Sequence, residues 1–235
     1  SIWLTSALKE ALQAAKDQGW EAPSVLRCWR SSMKTMIKRA AESIGIELIP
    51  SKRTYSLIEW ISEREKDYYP NQTGYMAGPL APPPLPINNQ AIPLPEAVRG
   101  DSWSLASLPI DNLREAKEWE IEFSGLIAIR HTINAKTAIP GIRLFSKNRS
   151  LALAAWLGGL EPVRLVTEGS QIILEAGQSD RWLVTDIEKE ALEALNISLK
   201  TVRENADGIQ FISVQSTPES QKFAGFWMLR DINLG

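Results

Sequence analysis

The sequence has few of the residues that form disulfides and soft metal sites. Its 235 residues include one cysteine, Cys28, and one histidine, His131. A single cysteine excludes an intrachain disulfide, and the two residues together are too few for a Cys-rich zinc module or a site with several histidine ligands. The glycines do not form a phosphate-binding loop or a dinucleotide fingerprint. We therefore expect no metal and no cofactor, and we interpret Cys28 as a structural thiol.

The sequence also lacks a long hydrophobic run and a strong net charge. Its apolar stretches are far shorter than the roughly 20 residues that span a bilayer, so we expect no stable membrane insertion. The 26 basic and 28 acidic residues give a net charge of -2. This balance excludes a uniformly basic coat protein, and any basic site must be local. The start at Ser1, without a signal peptide, is compatible with a targeting or structural segment that has been removed.

The segment from Ser24 to Gly45 separates apolar from basic side chains at the 3.6-residue period of a helix. The spacing predicts one amphipathic helix. The segment from Ser24 to Thr54 contains seven basic residues and only two acidic ones. Such a surface attracts phosphate backbones whatever the base sequence. A solvated helix face without a ligand is the alternative. The predicted basic face consists of Arg27, Arg30, Lys34 and Lys38.

Residues 1–75 are predicted to form a largely helical N-terminal unit. Apolar residues at helical spacing, Leu4, Leu8, Ala11 and Ala15, predict a first amphipathic helix that ends near Gly19. The same period predicts a third helix that includes Tyr55, Ile58 and Ile61.

A proline-rich segment over residues 76–96 follows this unit. Because proline removes a backbone donor and favours extended conformations, we interpret the segment as an interdomain linker. A ligand for a proline-recognising domain is the alternative. Its prolines are Pro79, Pro82, Pro83, Pro84, Pro86, Pro93 and Pro95.

Residues 97–235 are predicted to form a mixed α/β domain, which makes the fold class α+β. Apolar residues alternate with glutamates over residues 119–123, as in a strand with one solvated face. A helix is predicted over residues 150–157, and another follows Thr185, whose spacing to Glu188 fits a capping box. Further strands are predicted around residues 142–145, 163–166, 172–176, 182–185, 209–214 and 226–229.

A second basic candidate lies between Phe123 and Leu160, where the sequence contains no acidic residue. If Arg149 precedes the helix predicted at 150–157, its guanidinium and the first backbone N–H groups of that helix can both approach a phosphate. Chance clustering on solvent-facing strands and loops is an equal alternative. The basic residues of this stretch are Arg130, Lys136, Arg143, Lys147 and Arg149.

Four stretches carry a family resemblance: Arg53–Leu57, Leu153–Leu157, Glu175–Trp182 and Phe223–Arg230. With them the chain resembles, over nearly its whole length, the plastid and cyanobacterial Tab family of RNA-binding translation factors. The resemblance implies an activator of translation that acts on the 5′ untranslated region of the messenger for a photosystem I reaction-centre subunit. It also implies a location in the chloroplast stroma, with the cyanobacterial cytoplasm as the alternative, and a strand-containing N-terminal stretch that this sequence lacks.

The family's terminal Trp-Leu-Leu tripeptide, which the resemblance links to RNA recognition, corresponds here to Trp227, Met228 and Leu229. Methionine in the middle position keeps the apolar volume. Because side chains alternate along a strand, Met228 is expected to face away from the other two, so one ligand cannot readily touch all three. Packing in a sheet is an equal alternative to RNA contact for this tripeptide.

We therefore interpret the chain as a non-enzymatic RNA-binding translation activator. Its predicted partners are a single-stranded or structured messenger leader, with the ribosome or other translation factors as further partners. The predicted RNA-binding residues are Arg27, Arg30, Lys34, Lys38, Lys52, Arg53, Arg143, Lys147, Arg149, Trp227, Met228 and Leu229.

Two other functions stay open at this point. The first is a metal-dependent nuclease, which needs several carboxylate oxygens around one cation. The second is a scaffold that uses the linker and aromatic surfaces to recruit proteins without RNA. The carboxylates available to a nuclease near the predicted strands are Glu168, Glu175, Asp180, Asp186 and Glu188.

Overall fold

The computed structural model describes residues 2–76 and 90–232. The chain divides into two compact units, Ser1–Pro79 and Leu80–Gly235. Both units combine helices with strands, which confirms the predicted α+β class. Of the predicted linker, residues 77–89 lie outside the described part of the chain, and its end, at Ile92–Pro93, pairs with a strand of the second unit.

The N-terminal unit joins three helices to a small parallel sheet. The first and third helices were predicted from their apolar spacing and are confirmed. After the third helix the backbone continues through a π-helical turn over Arg64–Tyr68 and a 3-10 turn over Tyr69–Asn71. The elements are α1 (Ile2–Asp17), β1 (Val25–Cys28), α2 (Lys34–Glu42), β2 (Glu47–Pro50) and α3 (Tyr55–Glu63).

The prediction of one helix from Ser24 to Gly45 is wrong. Its first part is β1, which pairs in parallel with β2, and only its second part is the helix α2. The helical period holds from Met33 onwards, where Ala40 and Ala41 are fully buried. The short apolar run before it fits either period, and the distant partner β2 decides for the strand by supplying backbone hydrogen bonds.

The C-terminal unit contains two sheets. The five-stranded sheet has the order β4-β6-β10-β11-β5, and the four-stranded sheet has the order β3-β9-β8-β7. The elements are β3 (Ile92–Pro93), β4 (Ser102–Pro109), α4 (Ile110–Arg114), β5 (Ile121–Gly125), β6 (Ala138–Phe145), α5 (Ser150–Leu160), β7 (Pro162–Glu168), β8 (Gln171–Ala176), β9 (Asp180–Asp186), α6 (Lys189–Asn205), β10 (Ile209–Gln215) and β11 (Phe223–Arg230).

The predicted strands of this unit, β5 to β11, and its two predicted long helices are confirmed. The capping box is wrong, because Thr185 lies inside β9 and its hydroxyl donates to the Asp186 carbonyl, while Glu188 is the residue before α6. Strand β4 was missed. Its signal was the alternation of Trp103 and Leu105 with serines, which the antiparallel partner β6 completes.

The core lies on both faces of the five-stranded sheet. Every residue of β10 is buried, as is every residue of β11 after Phe223. One face packs against α5 and the four-stranded sheet and contains Trp227 and Leu229. The opposite face contains Met228 and packs against α4 and the end of α6. The prediction that Met228 faces away from its neighbours is confirmed.

An ionic cluster joins β7, α6 and the end of β11. The Arg164 guanidinium pairs with Glu175 at 2.7 Å and with Asp231 at 3.1 Å, and Arg203 donates to the other oxygen of Asp231 at 3.0 Å. Burial by itself lowers the pKa of Arg164, but its hydrogen bond to Glu175 and the attraction of both carboxylates raise that pKa above its usual value. Asp231, which is 7% exposed, therefore joins three elements through its carboxylate.

Candidate nucleic-acid interface

The parallel sheet of the N-terminal unit gathers basic residues at one edge. Because β1 and β2 run in the same direction, their carboxyl ends lie side by side. Arg30 follows β1, Lys34 begins α2, and Lys52 and Arg53 follow β2. We call these four residues the carboxyl-edge cluster. The N-termini of α2 and α3 adjoin the same edge, so the positive ends of both helix dipoles add to its potential.

Backbone hydrogen bonds hold the loop that carries Lys52 and Arg53. The Ser51 N–H donates to the Cys28 carbonyl at 3.1 Å, which extends the pairing of the two strands by one residue. The fully buried Ser51 hydroxyl accepts the Arg53 N–H at 2.9 Å, and the Thr54 N–H donates to the Lys52 carbonyl at 2.7 Å. The loop therefore presents its two basic residues from a fixed backbone.

The acidic residues of the same segment lie at the opposite end of the β1-α2-β2 unit. Glu42 is the last residue of α2 and Glu47 is the first residue of β2. Lys38 pairs with Glu42 at 3.7 Å, with both side chains 58% exposed, so this pair is weak and leaves the carboxyl edge unaffected. Positive and negative charge are thus separated along the length of this unit.

The structure divides the predicted helix face. Arg30 and Lys34 stay together at the carboxyl edge, where Lys52 and Arg53 join them. Arg27 instead lies within β1, and Lys38 lies in the second turn of α2 beside Glu42. Aromatic rings accompany two members of the cluster. The Arg30 guanidinium lies 5.8 Å from the centre of the Trp29 ring, and Arg53 lies at the same distance from Tyr55.

The second basic candidate, in the C-terminal unit, is partly neutralised by an acidic residue from outside its sequence segment. Arg149 immediately precedes α5, as predicted, but its guanidinium donates to Asp101 at 3.1 Å and to the Glu96 carbonyl at 3.0 Å. The pKa of the Asp101 carboxyl lies below its usual value because it accepts the backbone N–H of Lys147 and the guanidinium of Arg149. The absence of acidic residues from the sequence segment therefore does not extend to its three-dimensional surroundings.

Arg143 lines a groove of about 370 Å³ in the C-terminal unit. Its guanidinium donates to Gln215 at 3.0 Å and to the Pro218 carbonyl at 2.7 Å, and it lies over the Phe145 ring. All these partners are neutral, so none of them offsets the positive charge of Arg143. The groove is also lined by Trp119, Glu120, Ser220, Gln221 and Phe223.

The tripeptide Trp227, Met228 and Leu229 is buried, with exposed fractions of 3%, 2% and 0%. Its side chains contact the two cores of the C-terminal unit and have no surface to offer a ligand in this conformation. Their burial favours the packing alternative, because an inner strand of a sheet covered on both faces buries both sets of alternating side chains. RNA contact through this tripeptide stays a prediction.

Two of the five carboxylates considered for a nuclease, Glu168 and Glu175, form ion pairs. Glu175 pairs with Arg164 and Arg181, and Glu168 also pairs with Arg181. Over residues 2–76 and 90–232, no group of three or more His, Cys, Asp or Glu side chains is arranged to hold a metal ion. His131 lies exposed in a turn, where its carbonyl accepts a hydrogen bond from Arg114. Among the helices that the structure describes, none has the length and hydropathy to cross a membrane.

Comparison with known proteins covers both units. A family model for the N-terminal part of the RNA-binding protein Tab2/Atab2 matches residues 1–64, and the model for its C-terminal domain matches residues 82–230. The chain is similar to two curated proteins, each named "Protein TAB2 homolog, chloroplastic". The maize protein is 31% identical over 99% of this chain and 60% of its own length. The Arabidopsis thaliana protein is 30% identical over 96% of this chain and 62% of its own length.

The chain thus spans about 60% of the length of the curated relatives that it matches. No solved structure matches it at a significant level.

Proposed function

Because this chain belongs to the Tab2/Atab2 family of RNA-binding proteins, we propose that it binds a messenger leader through the carboxyl-edge cluster of its N-terminal unit. The observation that carries the proposal is the separation of charge along the β1-α2-β2 unit. Four basic side chains and two helix N-termini share one edge, while Glu42 and Glu47 lie at the other end. A phosphate backbone is a polyanion that such an edge attracts.

Each group has a distinct part in this binding. The guanidinium of Arg30 can donate two hydrogen bonds to one phosphate, Arg53 adds its positive charge, and Lys34 and Lys52 act as point charges. Backbone N–H groups in the first turn of α3 can donate to further phosphate oxygens. These contacts give affinity and position the strand, and base contacts elsewhere must supply selectivity.

The biological role we propose is activation of translation from the 5′ untranslated region of a photosystem I reaction-centre subunit messenger. The resemblance of the four sequence stretches supports this role. The chloroplastic designation of the maize and Arabidopsis proteins supports a location in the chloroplast stroma, and the cyanobacterial cytoplasm is the alternative. On this proposal, the bound protein recruits the ribosome or other translation factors to the leader.

The charge-reversed variant Lys34→Glu/Lys52→Glu tests the phosphate site. We expect affinity for a single-stranded leader at low salt to fall about tenfold or more, because two favourable charges become unfavourable. The plot of log K against log salt has a negative slope, and each lost phosphate contact should make it shallower by about 0.7. The loss of two contacts should therefore make it shallower by about 1.4. Filter binding or fluorescence anisotropy across a salt series measures both quantities.

The matched control is Lys9→Glu/Lys16→Glu, which makes the same charge change on the exposed face of α1. Circular dichroism should give the same folded spectrum for both variants. Equal affinities and equal salt slopes for the two variants would reject the carboxyl-edge cluster as the phosphate site. Wild-type protein that does not bind the leader at low salt would reject RNA binding itself, and magnesium-dependent cleavage would support the nuclease alternative.

A further inference from the structure

Three aromatic rings surround one guanidinium where α3 ends. The central carbon of the Arg64 guanidinium lies 4.8 Å from the ring centre of Trp60, 3.8 Å from that of Tyr68 and 5.5 Å from that of Tyr69. The two tyrosine rings meet edge to face at 5.7 Å. We call these four residues the Arg64 platform. Cation–π attraction to several rings holds the guanidinium in place.

The rings of the Arg64 platform are exposed to solvent. The exposed fractions are 51% for Trp60, 44% for Tyr68 and 36% for Tyr69. Aromatic side chains usually contribute most of their area to a core or an interface, so a cluster of them on the surface indicates a contact that the isolated chain does not make. Their remaining surface is sufficient for a flat ligand to stack on.

The backbone positions these rings through an unusual turn. After α3 the chain forms the π-helical turn Arg64–Tyr68. This conformation is rare in proteins as a whole, and where it occurs it is often part of a functional site. Side-chain amides support it: Asn71 donates to the Asp67 carbonyl at 2.9 Å and Gln72 donates to the Tyr68 carbonyl at 3.4 Å. Tyr68 already lies one helical turn after Arg64, and the π-helical hydrogen bond from the Tyr69 N–H to the Arg64 carbonyl brings Tyr69 towards Arg64 as well.

The same helix links the Arg64 platform to the carboxyl-edge cluster. Arg53 lies two residues before Tyr55, the first residue of α3, and Leu57, Trp60 and Arg64 follow at helical spacing along one face of the helix. Leu57 is 42% exposed, so this face stays accessible between the two sites. At 1.5 Å per residue, the helical backbone from Tyr55 to Arg64 rises about 14 Å. A short single strand can therefore touch both sites.

Charge distinguishes the two sites chemically. The platform's own segment contains Glu63, Glu65 and Asp67 beside Arg64 and Lys66, so it does not attract phosphate as the carboxyl edge does. Stacking on a base does not need a positive surface, because every base has a π-face. Bases are available for such stacking only where they are unpaired.

We propose that the Arg64 platform stacks unpaired bases of the RNA whose phosphates are bound at the carboxyl-edge cluster. This inference rests on the proposed RNA binding and adds the single-stranded character of the ligand. Base stacking on Trp60 or Tyr68 extends the existing stack with Arg64. The contact tolerates any base, so it selects for unpaired structure in the leader and not for a particular sequence.

The test compares Trp60→Ala with Trp20→Ala for binding to a single-stranded leader and to a duplex of the same sequence. Trp20 is 69% exposed in the same unit and is not part of the platform, so its replacement is the matched control. We expect Trp60→Ala to weaken single-strand binding about 5- to 100-fold. Duplex binding and the salt slope should not change, and Trp60→Phe should retain most of the single-strand affinity.

A second variant, Tyr68→Ala, guards against a local folding defect at Trp60, and circular dichroism with thermal melting checks both proteins. Wild-type affinity for the single strand in both variants would overturn the inference and would instead favour a protein partner at this surface. An equal loss on the duplex would also overturn it. Either result leaves the phosphate site standing if Lys34→Glu/Lys52→Glu still weakens binding, so the two proposals fail separately.

Discussion

Replacing Trp227 with alanine is expected to lower the free energy of unfolding by about 3–5 kcal/mol. The side chain is 3% exposed and lies between β11 and α5. Its indole takes the space above Gly225, where a Cβ atom would lie 2.2 Å from the ring, and also approaches Gly158. Because the residues on both sides of this ring are glycines, they have no side chains that could fill the cavity left by its removal.

The consequence for RNA binding separates packing from contact. Because Trp227 is buried, the folded fraction of Trp227→Ala should bind the leader with wild-type affinity, and any loss should follow the unfolded fraction. Urea denaturation monitored by circular dichroism, together with binding measured at a temperature where the protein is folded, tests this. A folded variant of normal stability that no longer binds RNA would contradict the packing role.

Met228→Leu is the matched control for this experiment. This substitution gives the chain the Trp-Leu-Leu tripeptide that the family resemblance implies. Residue 228 lies on the opposite face of β11 from Trp227. Leucine and methionine have similar volumes, so the expected change in unfolding free energy is below about 1.5 kcal/mol. Met228 is 2% exposed, and RNA affinity should not change.

Replacing Asp231 with alanine should cost about 3 kcal/mol of stability, because its removal takes the carboxylate partner from two arginines. The Asp231 side chain is 8% exposed, and Arg164, at 23%, cannot turn fully into solvent. Chemical denaturation of Asp231→Ala measures the loss of unfolding free energy. Asp231→Asn should recover only the part of that free energy that comes from side-chain shape and neutral hydrogen bonds.

Arg203→Ala provides the contrasting measurement for this cluster. Its side chain is 57% exposed, so solvent screens its pair with Asp231 and the expected loss is about 1 kcal/mol or less. If Asp231→Ala were no more destabilising than Arg203→Ala, the carboxylate would not be the residue that joins β7, α6 and β11. A double-mutant cycle with Arg164→Ala would then locate the remaining coupling.

The sequence predicted the C-terminal unit better than the N-terminal one. Strands such as β8 and β10 are apolar-rich runs bounded by turn residues, and α6 repeats its apolar residues over about three turns, so each pattern fits one type of element. Val25–Cys28 has only four residues and continues into a true helical period. A run of that length does not distinguish strand from helix, and its assignment depends on a partner about twenty residues away.

The basic residues of the candidate site were predicted individually, but their grouping was not. A helical interpretation placed Arg27 and Lys38 with Arg30 and Lys34, whereas strand pairing brings Lys52 and Arg53 to the last two instead. The Arg64 platform was missed altogether. Its signal was the i, i+4, i+8 spacing of Trp60, Arg64 and Tyr68, which puts the three side chains on one face of a helix, and the π-helical turn adds Tyr69 to that face.

By itself, the sequence determined which chemistry is available and where local periodicity is unambiguous. One cysteine and one histidine limit metal and disulfide chemistry, and a net charge of -2 requires any basic site to be local. Only the tertiary structure decided which charges are neighbours, because β4 brings Asp101 to Arg149 while the parallel strands keep Glu42 and Glu47 away from the carboxyl edge. Periodicity acts within a few residues, whereas electrostatic neighbourhood and burial depend on distances in the folded chain.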